Sequence, residues 1–520
     1  MSTRWIYLRP TLIVVLAFAA PAFAQLPPVK DPLAPKVPQG AGACSVGKSC
    51  ADLAPDILRT AMGPSPLAEN LRYLTDTLGG RLTGTAAADK ATGWAVEAFR
   101  HAGVDEVHTE KFTIPVGWTE GKTRVDVLVP EPFPVRIASA GWSPPIAEGG
   151  INADVIDVGV GDEAGFAKAG AGVKGAIVLV HTQELKGLNE LLAEYYQGPA
   201  IVDRAVKAGA AAIFWMSTRP RLLLYRHTLG IDGQLAPLPE AIVAREDAQR
   251  IARFDAAGEK VSVHFEMPDH IVPGPVTSEN VVAEIRGREN PDEYVVLGAH
   301  LDSWDLGTGA LDNGCNAAMV IDAARAIHTT GTIPRRSIRF VLFTGEEQGM
   351  LGSWGYVKAH RSELDRVDAV VIFDDGDGRT TGYMLSGRKD VSDNVKEAIA
   401  PAALVDASQL TFDAFIGTDN WDFLLEGVPT LVANQDEEEY EANYHSTADT
   451  YDKVNLDRVK RNAAAAAITV FGLADSPKRI GPRQSRAEIE ELIKQTGLDQ
   501  QMKSTQSWQS WQDGTRGRTP

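Results

Sequence analysis

The sequence predicts an α/β protein built on a mixed, mostly parallel central sheet flanked by helices, and two observations carry that prediction. Residues 294–297 and 338–343 are short apolar runs of strand type, and between them lie a Gly-broken loop and an apolar helix-like run over 316–327. Strand, loop, helix, strand is the unit that joins neighbouring parallel strands. Each strand run also ends in residues that ligate metals, His300 with Asp302 after the first and the Glu346–Glu347 doublet after the second. The carboxyl ends of such strands share one edge of a sheet, so the chemistry is expected there.

A chain of 520 residues is long for one core, which predicts two domains. Apolar content of 44% and charged content of 23% are ordinary for a soluble globular protein. The balance of 51 basic and 69 acidic side chains gives −18, and no basic run is present that could neutralise phosphates, so nucleic acid is excluded as a partner.

In chain order, Arg4 and Arg9 precede an apolar stretch over 11–20 and then Ala22-Phe23-Ala24. This is the order of a secretory signal peptide, 1–24, cut near Ala24, and it predicts a secreted or periplasmic protein with no stable membrane insertion after cleavage. An uncleaved anchor is the competing reading; the apolar stretch is short for a span and the A-x-A site argues for cleavage. Residues 25–56 are rich in Pro, Gly and Ala without a period and read as an extended leader, ordered structure beginning near Leu67. Export places Cys44 and Cys50 in an oxidising compartment where they could close a small loop, and pairing or its absence stays open. Cys315 stands alone and reads as a small packing residue rather than a ligand.

Ala91, Trp94, Ala95, Ala98, Phe99 and Ala102 recur at helical spacing and predict an amphipathic helix ending at Gly103. The preceding LGGRLTGT, with Arg81, reads either as a surface loop or as a pocket wall. The part 57–120 opens the catalytic domain. Over 121–272 short strand-type runs at 124–129, 153–158, 176–180 and 211–214 alternate with Gly-rich turns, which predicts an inserted mixed α/β domain without a His and carboxylate cluster, suited to a lid, access or assembly role. The catalytic domain resumes over 273–475. Residues 369–373 form a buried-strand run ending at Asp374, 430–433 another, followed by an acidic loop and Tyr444-His445-Ser446; 456–473 is an Ala-rich helix. A polar tail, 476–520, is expected to be mobile at its end, apart from a helix near 488–496 stopped by Gly497.

Taken singly, a His after a strand or an Asp in a turn is an ordinary structural residue. Their recurrence at the ends of separate strands is what points to a site. Clustered buried carboxylates need cations to neutralise them. Two imidazoles with three or more carboxylates form the mixed N/O set that suits a pair of zinc ions, whereas calcium prefers oxygen alone. A solvated acidic rim is the plain structural alternative. In the Glu346–Glu347 doublet one carboxylate can bind metal while its neighbour handles protons.

The motifs HLDSWDLGTGALDNG, FTGEEQG, the aspartate after VVIF, and YHSTADTYDKV resemble those of the co-catalytic zinc exopeptidases, the leucyl aminopeptidase and glutamate carboxypeptidase type, and within them the carboxypeptidase Q group. The resemblance spans about 67–473 and implies a zinc exopeptidase fold with an inserted protease-associated domain, two Zn2+ per chain, and a possible homodimer. It implies His300 and Asp374 as ligands of one zinc, Glu347 and His445 of the other, and Asp312 as the bridge. Glu346 matches the general base and Asp302 the carboxylate that orients the His300 imidazole. FDDGDG offers three aspartates, and Asp374 is chosen because it directly follows the strand. The implied activity is hydrolysis of dipeptides or short peptides, as a carboxypeptidase or dipeptidase, with an aminopeptidase of the same superfamily as the alternative. A non-catalytic receptor or scaffold on this fold would have lost ligands or the base, and all six positions are present.

Overall fold

The computed structural model describes residues 50–436 and 440–519. The signal peptide, most of the leader and the Cys44–Cys50 pairing lie outside the described residues. An eight-stranded sheet runs Glu106–Thr119, His270–Ile285, Arg336–Phe343, Asn290–His300, Val367–Ile372, Thr430–Gln435, Thr380–Met384, Gln409–Thr411. The strands Arg336–Phe343, Asn290–His300, Val367–Ile372 and Thr430–Gln435 are mutually parallel, while the first two strands and Thr380–Met384 enter antiparallel, so the sheet is mixed.

Both faces of the central strands are buried, which is why their sequences read as continuous apolar runs. Val295, Leu297 and Ala299 face one layer with Ile338, Phe340 and Leu342, covered by the helices Ala86–Ala102, Cys315–Thr329 and Leu456–Asp475. Tyr294 and Val296 face the other with Val341 and Phe343, against Tyr356 and Phe423 of the helices Leu351–Ala359 and Asn420–Leu425. The alternation follows from the two-residue period of a strand. The Ala86–Ala102 helix starts where the Thr85 side chain accepts from the Ala88 N–H and stops at Gly103 in the left-handed conformation.

The chain leaves the long antiparallel ribbon at Thr119 and returns opposite it at His270. In between, residues from Arg124 to Glu266 build a second eight-stranded sheet, in which Ile151–Asp157, Ile177–Val180, Ala212–Met216 and Glu240–Val243 pair in parallel. Its core includes Val125, Leu179, Phe214 and Phe265. No helix among the described residues is long and apolar enough to cross a membrane.

Two expectations about the ends are corrected. Ordered structure starts before Leu67: residues 50–56, placed in the extended leader, instead begin the helix Cys50–Met62, with Leu53, Ile57 and Ala61 buried against the main core. Its four-residue spacing was obscured by Pro55, which reads as a breaker. The tail is likewise packed rather than mobile. Ser485 and Glu488 form a capping box for the helix Arg486–Thr496, which ends at Gly497. Trp511 is buried with the Arg486 guanidinium 4.0 Å over its ring, and Arg516 is buried against Asp422 at 2.7 and 2.8 Å. These anchors are isolated aromatic and charged residues, which leave no periodic signature.

One buried carboxyl makes stability depend on pH. Glu240, in the second sheet, accepts from the Trp215 indole N–H at 2.8 Å, and burial pushes its carboxyl up to about 7 despite that bond. A carboxyl whose folded pKa exceeds its unfolded value of 4.5 favours the fold below that value and loses the contribution as pH rises through about 7. Glu240→Gln is therefore expected to gain about 3 kcal/mol over wild type at pH 8 and little at pH 4. Urea midpoints of both proteins at the two pH values check this, and equal differences at both sink it.

Candidate metal centre

His300 is the last residue of its strand, and Glu346, Glu347 and Asp374 follow the ends of the adjacent parallel strands. All open on one edge, as expected. The His300 Nδ1 lies 3.0 Å from the Asp302 carbonyl, which leaves Nε2 turned to Asp374 at 3.0 Å and Asp312 at 3.1 Å. On the far side the His445 Nε2 lies 2.9 Å from Glu347 and 3.1 Å from Asp312. Asp312 thus meets one imidazole with each oxygen. Glu346 reaches to 4.0 Å from the His300 Nε2. Two imidazoles and four carboxylates are gathered in one buried place.

Asp302 differs in detail from expectation. Its backbone carbonyl is the closer partner of His300, its carboxylate standing 3.6 Å away. That carboxylate is held by the Thr83 hydroxyl at 2.8 Å, and Thr83 in turn accepts from the Gly345 N–H at 2.8 Å. The LGGRLTGT loop therefore ties the two strand ends together.

Arg81, from the same loop, is neither on the surface nor on a pocket wall. It is fully buried and donates to the carbonyls of Leu301 at 2.7 Å, Thr308 at 2.7 Å and Gly309 at 2.9 Å, strapping the segment that carries Asp312. Gly309 has φ of 60°, and a Cβ there would come within 2.3 Å of the Ser303 side chain, so the close strap requires glycine. Asp449 accepts the successive N–H groups of Ala310, Leu311 and Asp312 at 2.9, 2.6 and 3.1 Å. Asn313 donates to the Phe373 carbonyl at 2.9 Å, linking the Asp312 segment to the Asp374 loop. Sequence reasoning missed Arg81, Thr83, Asn313 and Asp449 as positioning groups. Asp449 stood in the YHSTADTYDKV motif, and that proximity was the available signal. Cys315 is buried as expected and donates to the Leu311 carbonyl.

The electrostatics follow from putting these charges out of water. Burial alone would depress the His300 and His445 imidazoles; Asp374 lifts the first well above its ordinary value, and Glu347 with Asp312 lifts the second to about 9. Burial, with little relief, holds the Glu346 carboxyl well above the usual range, and Asp374 adds to it. Glu347 is pushed up to about 7 by burial against the pull of His445. Asp312 goes the other way, the hydrogen bond with His300 and the nearby His445 imidazole overcoming its burial. The Asp312 Oδ2 is buried and, although 3.1 Å from the His445 Nε2, makes no well-directed hydrogen bond. An acidic pocket of N and O donors with an oxygen aimed into it fits divalent cations, which neutralise the carboxylates and take the free lone pair. His300, Asp312 and Glu347 bring one ligand atom each within 4.8 Å of one another, and so do His300, Glu346 and Asp374.

Beside this cluster opens a cavity of about 370 Å³ lined by apolar groups such as Leu192, Met384, Phe415 and Tyr440. Asp375, Asp413 and Glu441 also line it, and among its described lining residues there is no Lys or Arg. The inserted segment 121–272 reaches the site; among the described residues it brings no metal-binding His and carboxylate cluster of its own, but one buried polar group lies there. Arg219, Tyr225 and His227 are buried around Glu194, with the Tyr225 hydroxyl on Glu194 and His227 3.3 Å from it. The Tyr195 hydroxyl lies 3.2 Å from that of Tyr444.

Compared with known proteins, residues 280–470 match the model of Peptidase family M28. The chain is 31% identical to carboxypeptidase Q of Mus musculus over 411 residues, 78% of this chain and 85% of that one. It is 24% identical to aminopeptidase YwaD of Bacillus subtilis, covering 79% of this chain and 84% of the relative. Its fold matches the crystal structure of a peptidase M28 precursor from Shewanella amazonensis with a TM-score of 0.76 at 26% identity, over 84% of this chain and 99% of the other. A zinc aminopeptidase from Bacillus subtilis shares the fold with a TM-score of 0.62 at 20% identity, over 81% and 97% of the two chains.

Proposed function

The chain belongs to peptidase family M28, and from that premise we propose that it is a zinc-dependent exopeptidase hydrolysing dipeptides or short peptides. The observation that carries the proposal is the convergence of His300 and His445 on the two oxygens of Asp312, with Asp374 on the first imidazole, Glu347 on the second and Glu346 alongside. In this reading His300 and Asp374 hold one zinc, Glu347 and His445 the other, and Asp312 is shared. Zinc bound there supplies the Lewis acidity that acidifies a water and polarises the scissile carbonyl. Glu346 takes the proton of the attacking water and delivers it to the leaving amine as the C–N bond breaks. Asp302, fixed by Thr83, and the Asp302 carbonyl keep the His300 Nε2 aimed inward. The enclosing apolar wall excludes bulk water and strengthens every charge interaction inside.

The same reading takes 1–24 as a signal peptide for export, 121–272 as an inserted protease-associated-like domain within a catalytic domain of 57–120 and 273–475, and a homodimer as the assembly. The similarity to carboxypeptidase Q favours substrates with a free C-terminus. One observation favours a second reading, an aminopeptidase. The described lining of the cavity carries carboxylates in addition to the metal-site ones and no Lys or Arg to meet a substrate carboxylate. A free α-ammonium would be drawn to that wall.

The test is metal analysis with a substrate panel. Chelation is expected to abolish hydrolysis and zinc to restore it, with two zinc ions per active chain. An N-blocked dipeptide and an aminoacyl anilide then separate the two readings. A folded protein that hydrolyses neither, with zinc present, overturns the proposal.

A further inference from the structure

The limb that presents His445 is held from the inserted segment. His445 has φ of 56°, the left-handed region that a residue with a Cβ keeps only when its surroundings over-determine it. Those surroundings come from residues 219–226. The Arg226 N–H donates to the His445 carbonyl at 3.0 Å, and the Thr447 N–H donates to the Leu224 carbonyl at 2.9 Å. Tyr225 and Ser446 form an antiparallel bridge between the two stretches. The Arg219 guanidinium donates to the Tyr444 carbonyl at 2.8 Å, the residue just before His445, and the Tyr444 ring stacks on the imidazole at 3.6 Å.

Arg219 is built for this place. Its side chain is 2% exposed and lies over the Tyr225 ring at 4.2 Å, with Tyr444 on another side at 5.6 Å and Glu194 at 3.9 Å. Burying a guanidinium is unfavourable unless charge and hydrogen bonds compensate it, and Glu194 supplies the charge. A hydrophobic residue would fill the same space without that cost. What a hydrophobic residue lacks is a donor for the Tyr444 carbonyl.

We propose that Arg219, with the 224–226 stretch, is a positioning clamp by which the inserted segment sets His445, so that one of the two metal positions depends on the insert and the other does not. The His300 and Asp374 side is fixed independently, by Arg81, Thr83 and Asn313. The proposal rests on the zinc reading above. The insert then controls the completeness of the centre rather than acting only as a cover.

The experiment is zinc titration against a chelating indicator, with bound metal counted on wild type, Arg219→Ala and Arg219→Lys, and urea unfolding of each metal-free protein. Loss of an outer partner commonly weakens a metal site by about 10- to 100-fold. Arg219→Ala is expected to weaken one zinc by that factor and leave the other at wild-type affinity; Arg219→Lys, which can still donate to the Tyr444 carbonyl, is expected to recover part of it. A variant that only loosens the fold would weaken both ions or neither. Should Arg219→Ala fail to fold, Arg219→Met, which keeps most of the apolar bulk and removes the donor to the Tyr444 carbonyl, carries the same titration with the same expectation of one weakened ion. Two zincs at wild-type affinity in the variant overturn the clamp alone. A wild-type protein that binds no zinc overturns the zinc reading and the clamp with it.

Discussion

Glu346→Gln is expected to fold, to keep its zinc and to lose about a thousandfold in kcat, with KM little changed. The substitution preserves shape and removes only the ability to accept a proton, and positioned acid–base groups contribute about 10²- to 10⁴-fold. Metal should stay because Glu346 stands 4.0 Å from the nearest imidazole nitrogen, farther than Asp312 or Asp374. Stability in urea should hold or rise, since one of four crowded carboxylates becomes neutral in a site where burial already disfavours the charge. Steady-state kinetics with metal analysis on one preparation decide it. Turnover within a fewfold of wild type in a fully loaded Glu346→Gln protein would remove Glu346 from the proton-transfer role.

The parts of this centre visible in the sequence are those where one residue both ends a strand and carries the chemistry. His300, Glu347 and Asp374 could be found because a continuous apolar run stops and a ligand follows, and the parallel sheet brings those stops together. His445 is different. It sits ten residues past the Thr430–Gln435 strand, on a limb whose conformation is set by residues more than two hundred positions away. Nothing local in YHST dictates a left-handed histidine, and the motif resemblance alone pointed to it. Arg81 and Asp449 were illegible for a related reason. Their partners are backbone N–H and C=O groups, which every sequence offers, so a polar side chain that satisfies three of them cannot be told from a surface one until the loop is folded. The helix Cys50–Met62 and the tail show the same limit for packing: Leu53, Ile57 and Ala61 kept the helical spacing, but Pro55 hid it, and Trp511 is anchored by a cation rather than by a pattern.

Asp312→Asn should remove both zincs together, whereas His445→Ala should remove one. Asp312 faces each imidazole with a different oxygen, at 3.1 Å in both cases, so it is the one carboxylate common to the two halves. An amide keeps one oxygen and turns an NH₂ toward the other half, and it withdraws the negative charge that both ions share. At an effective dielectric of about 20, a unit charge a few ångström from a divalent ion contributes several kcal/mol, roughly a thousandfold in affinity for each. The fold itself should survive. The straps on this segment use the backbone N–H groups of Ala310, Leu311 and residue 312, with Asp449 as acceptor, and Arg81 on the carbonyls beside it, none of which needs the Asp312 carboxylate. Zinc counts by mass spectrometry on the three proteins, with urea midpoints of the metal-free forms, separate the outcomes. One zinc retained at wild-type affinity in Asp312→Asn would mean that the halves bind independently, and the shared-carboxylate arrangement would have to be given up in favour of two separate sites.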